Sequence, residues 1–551
     1  MSEKLQIAKP ESRLYMSFLY VAFISLFIGG LMGLLQTLVR SGEFTMPWGV
    51  DYYQILTLHG VILGLVLTTY FIIGFQYSLM GKTVGISFKQ RKMAWIGFWV
   101  MVIGTIMTAI TILLGKASVL YTFYAPLQAH PVFYIGLAFV IIGSWIAAFV
   151  NFRQLYVWKQ KHPNEKSPLL AFMVVINMIM WVIASLGVAV AVVVQFIPWS
   201  LGYAETINVL ISRTLFWYFG HPLVYFWLLP AYMAWYAIIP KIIGGKIFSD
   251  SLARIAFILL LFFSIPVGFH HQLTEPGIDP IWKFVQVVLT FMVVIPSLMT
   301  AFSIFATFEI TGRRKGFRGL FGWFKHLPWK DVRFLAPVIG MLAFIPGGAG
   351  GIINASHQMN AVVHNTIWVT GHFHITAATT VVLTFFGITY WLVPHLTGRK
   401  LTKSINRLGI IQSIFWAVGM TIMSGAMHIE GLLGAPRRSS FSTYGGTEQA
   451  SEWIGYQMAQ AIGGSILFIG ILLMVYIFIK LTFFAPKGNE EFPIAEEEEN
   501  AEQTPKWLEN WKLWIAITIA LILFAYTIPF VDIIQNSPPG SPAFDWPIGN
   551  S

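Results

Sequence analysis

Thirteen apolar stretches, each long enough to cross a bilayer, confine this chain to a narrow set of folds. They run over 14–39, 54–79, 93–114, 131–156, 168–197, 213–239, 253–273, 282–310, 334–353, 366–394, 408–433, 453–479 and 513–535. A helical crossing takes roughly 20 residues. In lipid every backbone N–H and C=O must be bonded within the protein, so stretches of this length form helices rather than open strands. Composition agrees: 56% of the 551 residues are hydrophobic and 11% are charged. The spans predict an all-α membrane protein, a bundle of about 13 transmembrane helices.

The loops orient that bundle. With the N-terminus in the cytoplasm, the outer segments and helix ends hold Arg40, Lys116, Arg213, Lys283, Arg437 and Arg438, six of the 35 Lys and Arg. The other 29 lie inside, which is the positive-inside asymmetry, and the C-terminus falls outside. This asymmetry accounts for the net charge of +11, so nucleic acid is not implied. The basic loop 311–333, with Arg313, Arg314, Lys315 and Arg318, is expected to rest against anionic membrane lipid. The polar start MSEKLQIAKPESR and the long first span read as a retained helix, not a cleaved signal. No internal repeat is visible. One domain is expected over 1–551: a core of about 14–480, an inner acidic loop 480–512 and an extra C-terminal helix 513–535. The acidic loop, with Glu490, Glu491 and the run Glu496 to Glu499, reads as solvated. The Pro- and Gly-rich tail after 536 reads as extended surface chain that rests on a partner.

Ten of the 13 histidines fall at or just beyond the outer ends of these spans. Six are spaced for metal ligation: His59, His221, His270, His271, His372 and His374. Imidazole is poorly suited to a lipid-facing surface and well suited to iron or copper. Following each span in its direction of travel puts all six at a similar depth below the outer surface, which amphipathic packing does not require. His372 and His374 are two apart and point about 200° from each other on a helix, so they serve two metals on opposite sides. His270 and His271 follow Pro266 and Gly268, which loosen the helix end, so both can reach one metal. His221 and Tyr225 are four apart and share a face. This spacing allows one low-spin haem between His59 and His374, a second haem on His372 with an open face, and a copper ion held by His221, His270 and His271.

Charges fit the same site. Arg437 and Arg438 follow the eleventh span directly, and paired guanidiniums suit haem propionates. Arg213 and Glu275 lie at neighbouring outer ends and are expected to pair. His364, Asn354 and Asn360, in an outer loop over 354–365, are placed to line a polar exit. On the inner side, Tyr225, Tyr232 and Tyr236 share one face and descend roughly 16 Å. Ser297, Thr300 and Ser303 repeat every three residues on the eighth span at a comparable depth. Two hydroxyl stripes of this kind serve either as a proton path or as packing surfaces.

Five stretches carry a resemblance: TLHG (57–60), GHPLVYFWLLPAY (220–232), GFHHQLTEPGIDP (268–280), GHFHITAA (371–378) and APRR (435–438). In this order they resemble subunit I of the haem-copper oxidases over about 14–480, and most nearly the B family of bacterial cytochrome c oxidases. The resemblance implies a respiratory terminal oxidase of the bacterial plasma membrane, reducing dioxygen to water at a haem and copper pair with coupled proton translocation. It implies that His59 and His374 ligate the low-spin haem, and His372 the high-spin, oxygen-binding haem. It gives the copper ion to His221, His270 and His271, and implies a covalent link between Tyr225 and His221. It makes Tyr232, Tyr236, Ser297, Thr300 and Ser303 the proton path. The implied haems are type b with type a or o, although the protein ligands do not distinguish them.

Departures from the common A-type oxidases support the B assignment. Leu223 stands where those enzymes have a glutamate, and the eighth span has no lysine in its membrane core. Asn360 stands where an acid is expected near the propionates. There are no cysteines, so the dinuclear copper centre that passes electrons from cytochrome c requires a separate subunit II. Quinol stays open as the donor. Two other functions compete: a nitric oxide reductase, which replaces copper with non-haem iron and adds glutamates beside it, and a metal-free proton-coupled transporter. The sequence offers no buried glutamate near His221 or His270, and a transporter has no need of the His372–His374 spacing.

Overall fold

The computed structural model describes residues 7–495 and 504–543. Among the described residues, twelve helices are long and apolar enough to cross a membrane. They are α1 (Lys9–Arg40), α2 (Tyr52–Thr83), α3 (Phe88–Leu113), α4 (Pro131–Lys161), α5 (Leu169–Ser200), α6 (Val209–Ile243), α8 (Pro280–Arg314), α9 (Val332–Ala355), α10 (Ile367–Thr397), α11 (Lys403–Leu432), α12 (Glu448–Phe484) and α13 (Trp511–Asn536). The seventh expected span is shorter. Helix α7 (Asp250–Ser264) stops before Pro266, whose ring removes a donor and clashes with the preceding turn. A tight turn, Gly268–Gln272, then carries His270 and His271. Helix α8 is interrupted at Val293, three residues before Pro296, for the same reason.

Close packing uses glycine where helices must touch backbone to backbone. A Cβ on Gly104 of α3 would lie 2.4 Å from the Gly136 carbonyl of α4, and one on Gly419 of α11 would lie 2.7 Å from the Gly463 carbonyl of α12. Helices α2 and α10 each widen into a π-helical stretch, Ile62–Leu67 and His374–Val381, starting at or just after a histidine. At the outer side, strands β1 (Thr206–Ile207) and β2 (Ser541–Pro542) pair antiparallel, with Thr206 opposite Pro542. The first residues after α13 therefore lie on this chain's own loop ahead of α6. The acidic run Glu496 to Glu499, the tail beyond 543 and the first six residues lie outside the described residues.

Candidate metal centre

Helix α6 and the turn after α7 bring three imidazoles to one point. The available nitrogens of His221, His270 and His271 all lie within 4.8 Å of one another. His221 Nδ1 and His271 Nε2 are 3.2 Å apart. Two nitrogens bound about 2 Å from one metal, roughly at right angles to tetrahedral, stand about 3 Å apart, so the pair fits a shared ion. A shared proton would explain that pair, but not the convergence of His270. Thr290 orients His270. Its hydroxyl donates to the Gln286 carbonyl (2.6 Å), so its oxygen accepts from His270 Nδ1 (3.1 Å) and leaves His270 Nε2 with a free lone pair. Trp217 stacks on His271 with ring centres 3.8 Å apart and planes within 9°. His221 Nε2 is buried without a hydrogen-bond partner among the described residues, and the Tyr225 ring lies 5.1 Å away, centre to centre.

The second pair meets across the bundle. The rings of His59 on α2 and His374 on α10 are parallel to within 9°, with centres 6.2 Å apart. Two axial imidazoles need about 2 Å from metal to nitrogen and about 1 Å from nitrogen to ring centre on each side, which gives about 6 Å. Both rings are already oriented. His59 Nδ1 donates to the Gly29 carbonyl and His374 Nδ1 to the Thr370 carbonyl, each at 2.8 Å, so Nε2 is free in both. His372 faces elsewhere, beneath Trp368 (5.8 Å) and against Gly350, where a Cβ would lie 2.6 Å from its Nδ1. One cavity of about 1090 Å³ is lined by all six imidazoles together with Arg437 and Arg438. At Gly348, on its wall, a Cβ would meet nothing within 4 Å. The imidazole geometry and this cavity fit haem and copper.

The arginines close the outer side. Arg438 donates to Tyr124 and Tyr121 (3.3 and 3.4 Å), and Arg437 to the Asn365 side chain (2.9 Å). The Nε of each is buried without a partner among the described residues, leaving two donors for an anionic group. Burial pushes the Tyr124 phenol up, but Arg438, Arg213 and Arg437 outweigh it and leave it lowered. Arg213 pairs with Glu275, as expected. Burial pushes the Glu275 carboxyl up, against the pull of Arg213. Burial, reinforced by Arg437 and Arg213, takes His364 down to about 4, so it is neutral at pH 7. Residues 357–363, expected as loop, form a short helix because the Ser356 and Asn360 carbonyls accept turn hydrogen bonds. This helix lets Asn360 donate to Asn354 (2.7 Å) and its side-chain oxygen meet His364 Nδ1 (3.0 Å).

Toward the inner side, Tyr232 faces Ser297 and Tyr236 faces Ser303 and Thr300. The hydroxyls of Tyr232, Tyr236, Thr300 and Ser303 are nonetheless buried without a hydrogen-bond partner among the described residues.

The family model described as Cytochrome C and Quinol oxidase polypeptide I matches residues 13–466. Cytochrome c oxidase subunit 1 of Thermus thermophilus is 39% identical over 546 residues, 97% of this chain and 96% of that one. This chain belongs to the haem-copper oxidase subunit I family. A cryo-EM structure of a heme-copper terminal oxidase dimer is similar at a TM-score of 0.92 and 37% identity, over 98% of this chain and 96% of its own. Quinol oxidase subunit 1 of Bacillus spizizenii is more distant, 25% identical over 85% of this chain and 71% of that one. The chain is the catalytic subunit of a respiratory terminal oxidase on the B-type branch, a multi-pass protein of the plasma membrane, and haem and copper are the cofactors of its family.

Two features of this oxidase subunit escape a reading by motif. Glu430 is wholly buried and accepts from Arg40 (3.3 Å) and Gln457 (3.0 Å). An acid inside AMHIEGLL (426–433) and an arginine ending the first span are the available signal. Glu275, five residues after His270, is also buried, where no buried glutamate is expected from the sequence. It is held by Arg213 and Gln272, and the ligand cluster contains no carboxylate among the described residues.

Proposed function

We propose that this chain reduces dioxygen to water with two haems and one copper ion, taking electrons from cytochrome c through a subunit II that carries a dinuclear copper centre. His59 and His374 hold the low-spin haem, His372 the second haem, and His221, His270 and His271 the copper. When bound, the second haem and the copper supply the redox chemistry of dioxygen reduction. The observation that supports this reading best is the convergence of three imidazoles, two buried and one half-buried, whose nitrogens suit one ion, within the same cavity as the parallel His59–His374 pair. The partnerless Nε2 of His221, beside Tyr225, supports a link to that phenol. Forming the link removes one hydrogen from each ring, and dioxygen takes the two electrons. Arg437 and Arg438 supply buried donors to propionates.

Protons travel from the inner face along Tyr236, Tyr232 and Tyr225 with Ser303, Thr300 and Ser297. Water suits the gaps between their unsatisfied hydroxyls, since buried polar sites of this kind hold it. Phenols and hydroxyls relay protons without placing a fixed charge in the membrane. Cytochrome c is favoured over quinol by the 39% identity to a cytochrome c oxidase subunit against 25% for a quinol oxidase subunit. Replacing His270 by alanine in the complete complex is expected to remove copper while both haems stay. Copper retained at the wild-type ratio to haem would contradict the assignment.

A further inference from the structure

Helix α13, the extra C-terminal span, touches the copper-binding turn at its backbone. The Tyr526 hydroxyl is buried, accepts the Gly268 N–H at 2.9 Å and donates to the Ile265 carbonyl at 3.4 Å. Next to it, the Gln286 side chain on α8 accepts the Phe269 N–H (2.8 Å) and donates to the Ala525 carbonyl of α13 (3.1 Å). Pro266 ends α7, so these peptide groups have no helical partners, and the two side chains supply them. The Tyr526 ring also packs on Phe269, centres 5.3 Å apart. On its far side the same turn abuts Trp217. A Cβ on Gly268 would lie 2.5 Å from the Tyr526 oxygen and 2.8 Å from the Trp217 carbonyl, and Trp217 is the residue stacked on His271. The peptide two residues before His270 is thus wedged between α13 and α6.

We propose that Tyr526 is a positioning residue for the copper site: α13 sets the approach of His270 and His271 through the Gly268 peptide. The proposal rests on the copper assignment above. A ligand held by supporting hydrogen bonds loses metal affinity when those bonds go, by about 10- to 100-fold.

The test uses the complete complex with Tyr526→Phe and, separately, Gln286→Met. Each is assayed for copper retained against a chelator, and for the infrared band of carbon monoxide placed on copper by photolysis. Tyr218→Phe is the control. Its ring lies 5.1 Å from Tyr526, but its hydroxyl donates to Ile183, away from the turn. Both variants are expected to shift or broaden the copper carbonyl band and to lose copper about 10- to 100-fold more readily, with the low-spin haem band unchanged. Wild-type band and copper retention in both variants would overturn the proposal. So would failure of both variants to assemble with haem, which would make the contact one for folding. If instead the wild type holds no copper, or His270→Ala keeps it, the copper assignment itself falls.

Discussion

Thr290, with the Val267 carbonyl, bears on which nitrogen of His270 is left free. Because its hydroxyl proton goes to the Gln286 carbonyl, the imidazole must donate from Nδ1 and keep the Nε2 lone pair outward. Thr290→Val keeps the shape and removes the acceptor. It is expected to weaken copper retention about 10- to 100-fold, with the His59–His374 haem untouched, as read by metal analysis beside the haem spectrum. Undiminished retention would mean the tautomer is set elsewhere. The six histidines are legible in the sequence because their spacing and depth are sequence properties. Their supports are not. Thr290 is 20 residues from His270 in sequence, and a threonine on an apolar span reads equally well as packing. The Gly29 and Thr370 carbonyls that orient His59 and His374 are backbone atoms and leave no mark in composition.

At the scale of elements, proline placement explains where the spans and the helices differ. Pro266 shortens the seventh span and turns its last residues into the histidine-bearing loop, which the sequence signals as a loosened helix end. Helix α13 is legible as a span but not as a support, since its contacts join residues over 200 positions apart. Its inner end is tethered by Glu509, which accepts from Lys159 (2.7 Å) and Ser167, near the buried Arg254–Asp250 pair. Burial pushes the Glu509 carboxyl up, but Lys159 and Ser167 outweigh it, so its pKa lies below the ordinary 4.5. The sign follows: the unfolded segment binds more protons as pH falls below 4.5, so the tether is complete above that pH and is lost as pH drops through the lowered value. Hydrogen exchange of 504–513 is expected to quicken on acidification below about 4.5, and Glu509→Gln to remove that pH dependence. An unchanged profile in the variant would assign the anchoring to Arg254 and Asp250 alone.

Across the whole molecule, the sequence gathers the six histidines toward one expected membrane face and most of the basic residues toward the other. Both patterns can be read from the sequence, because lipid leaves few places for either kind of side chain. One cavity reaches from the arginine pair to Tyr225 and Tyr232 of α6. What the sequence leaves open is which protein groups orient each histidine. Hydrogen bonds from the Gly29 and Thr370 carbonyls hold the parallel His59 and His374 rings, and Thr290 bonds His270 of the convergent triad. The most direct test is a reduced-minus-oxidised spectrum of the purified complex, with and without carbon monoxide, beside iron and copper analysis. Two haems and one copper per chain, with carbon monoxide binding one haem, are the expected result. Non-haem iron in place of copper, or an absence of haem, would contradict it.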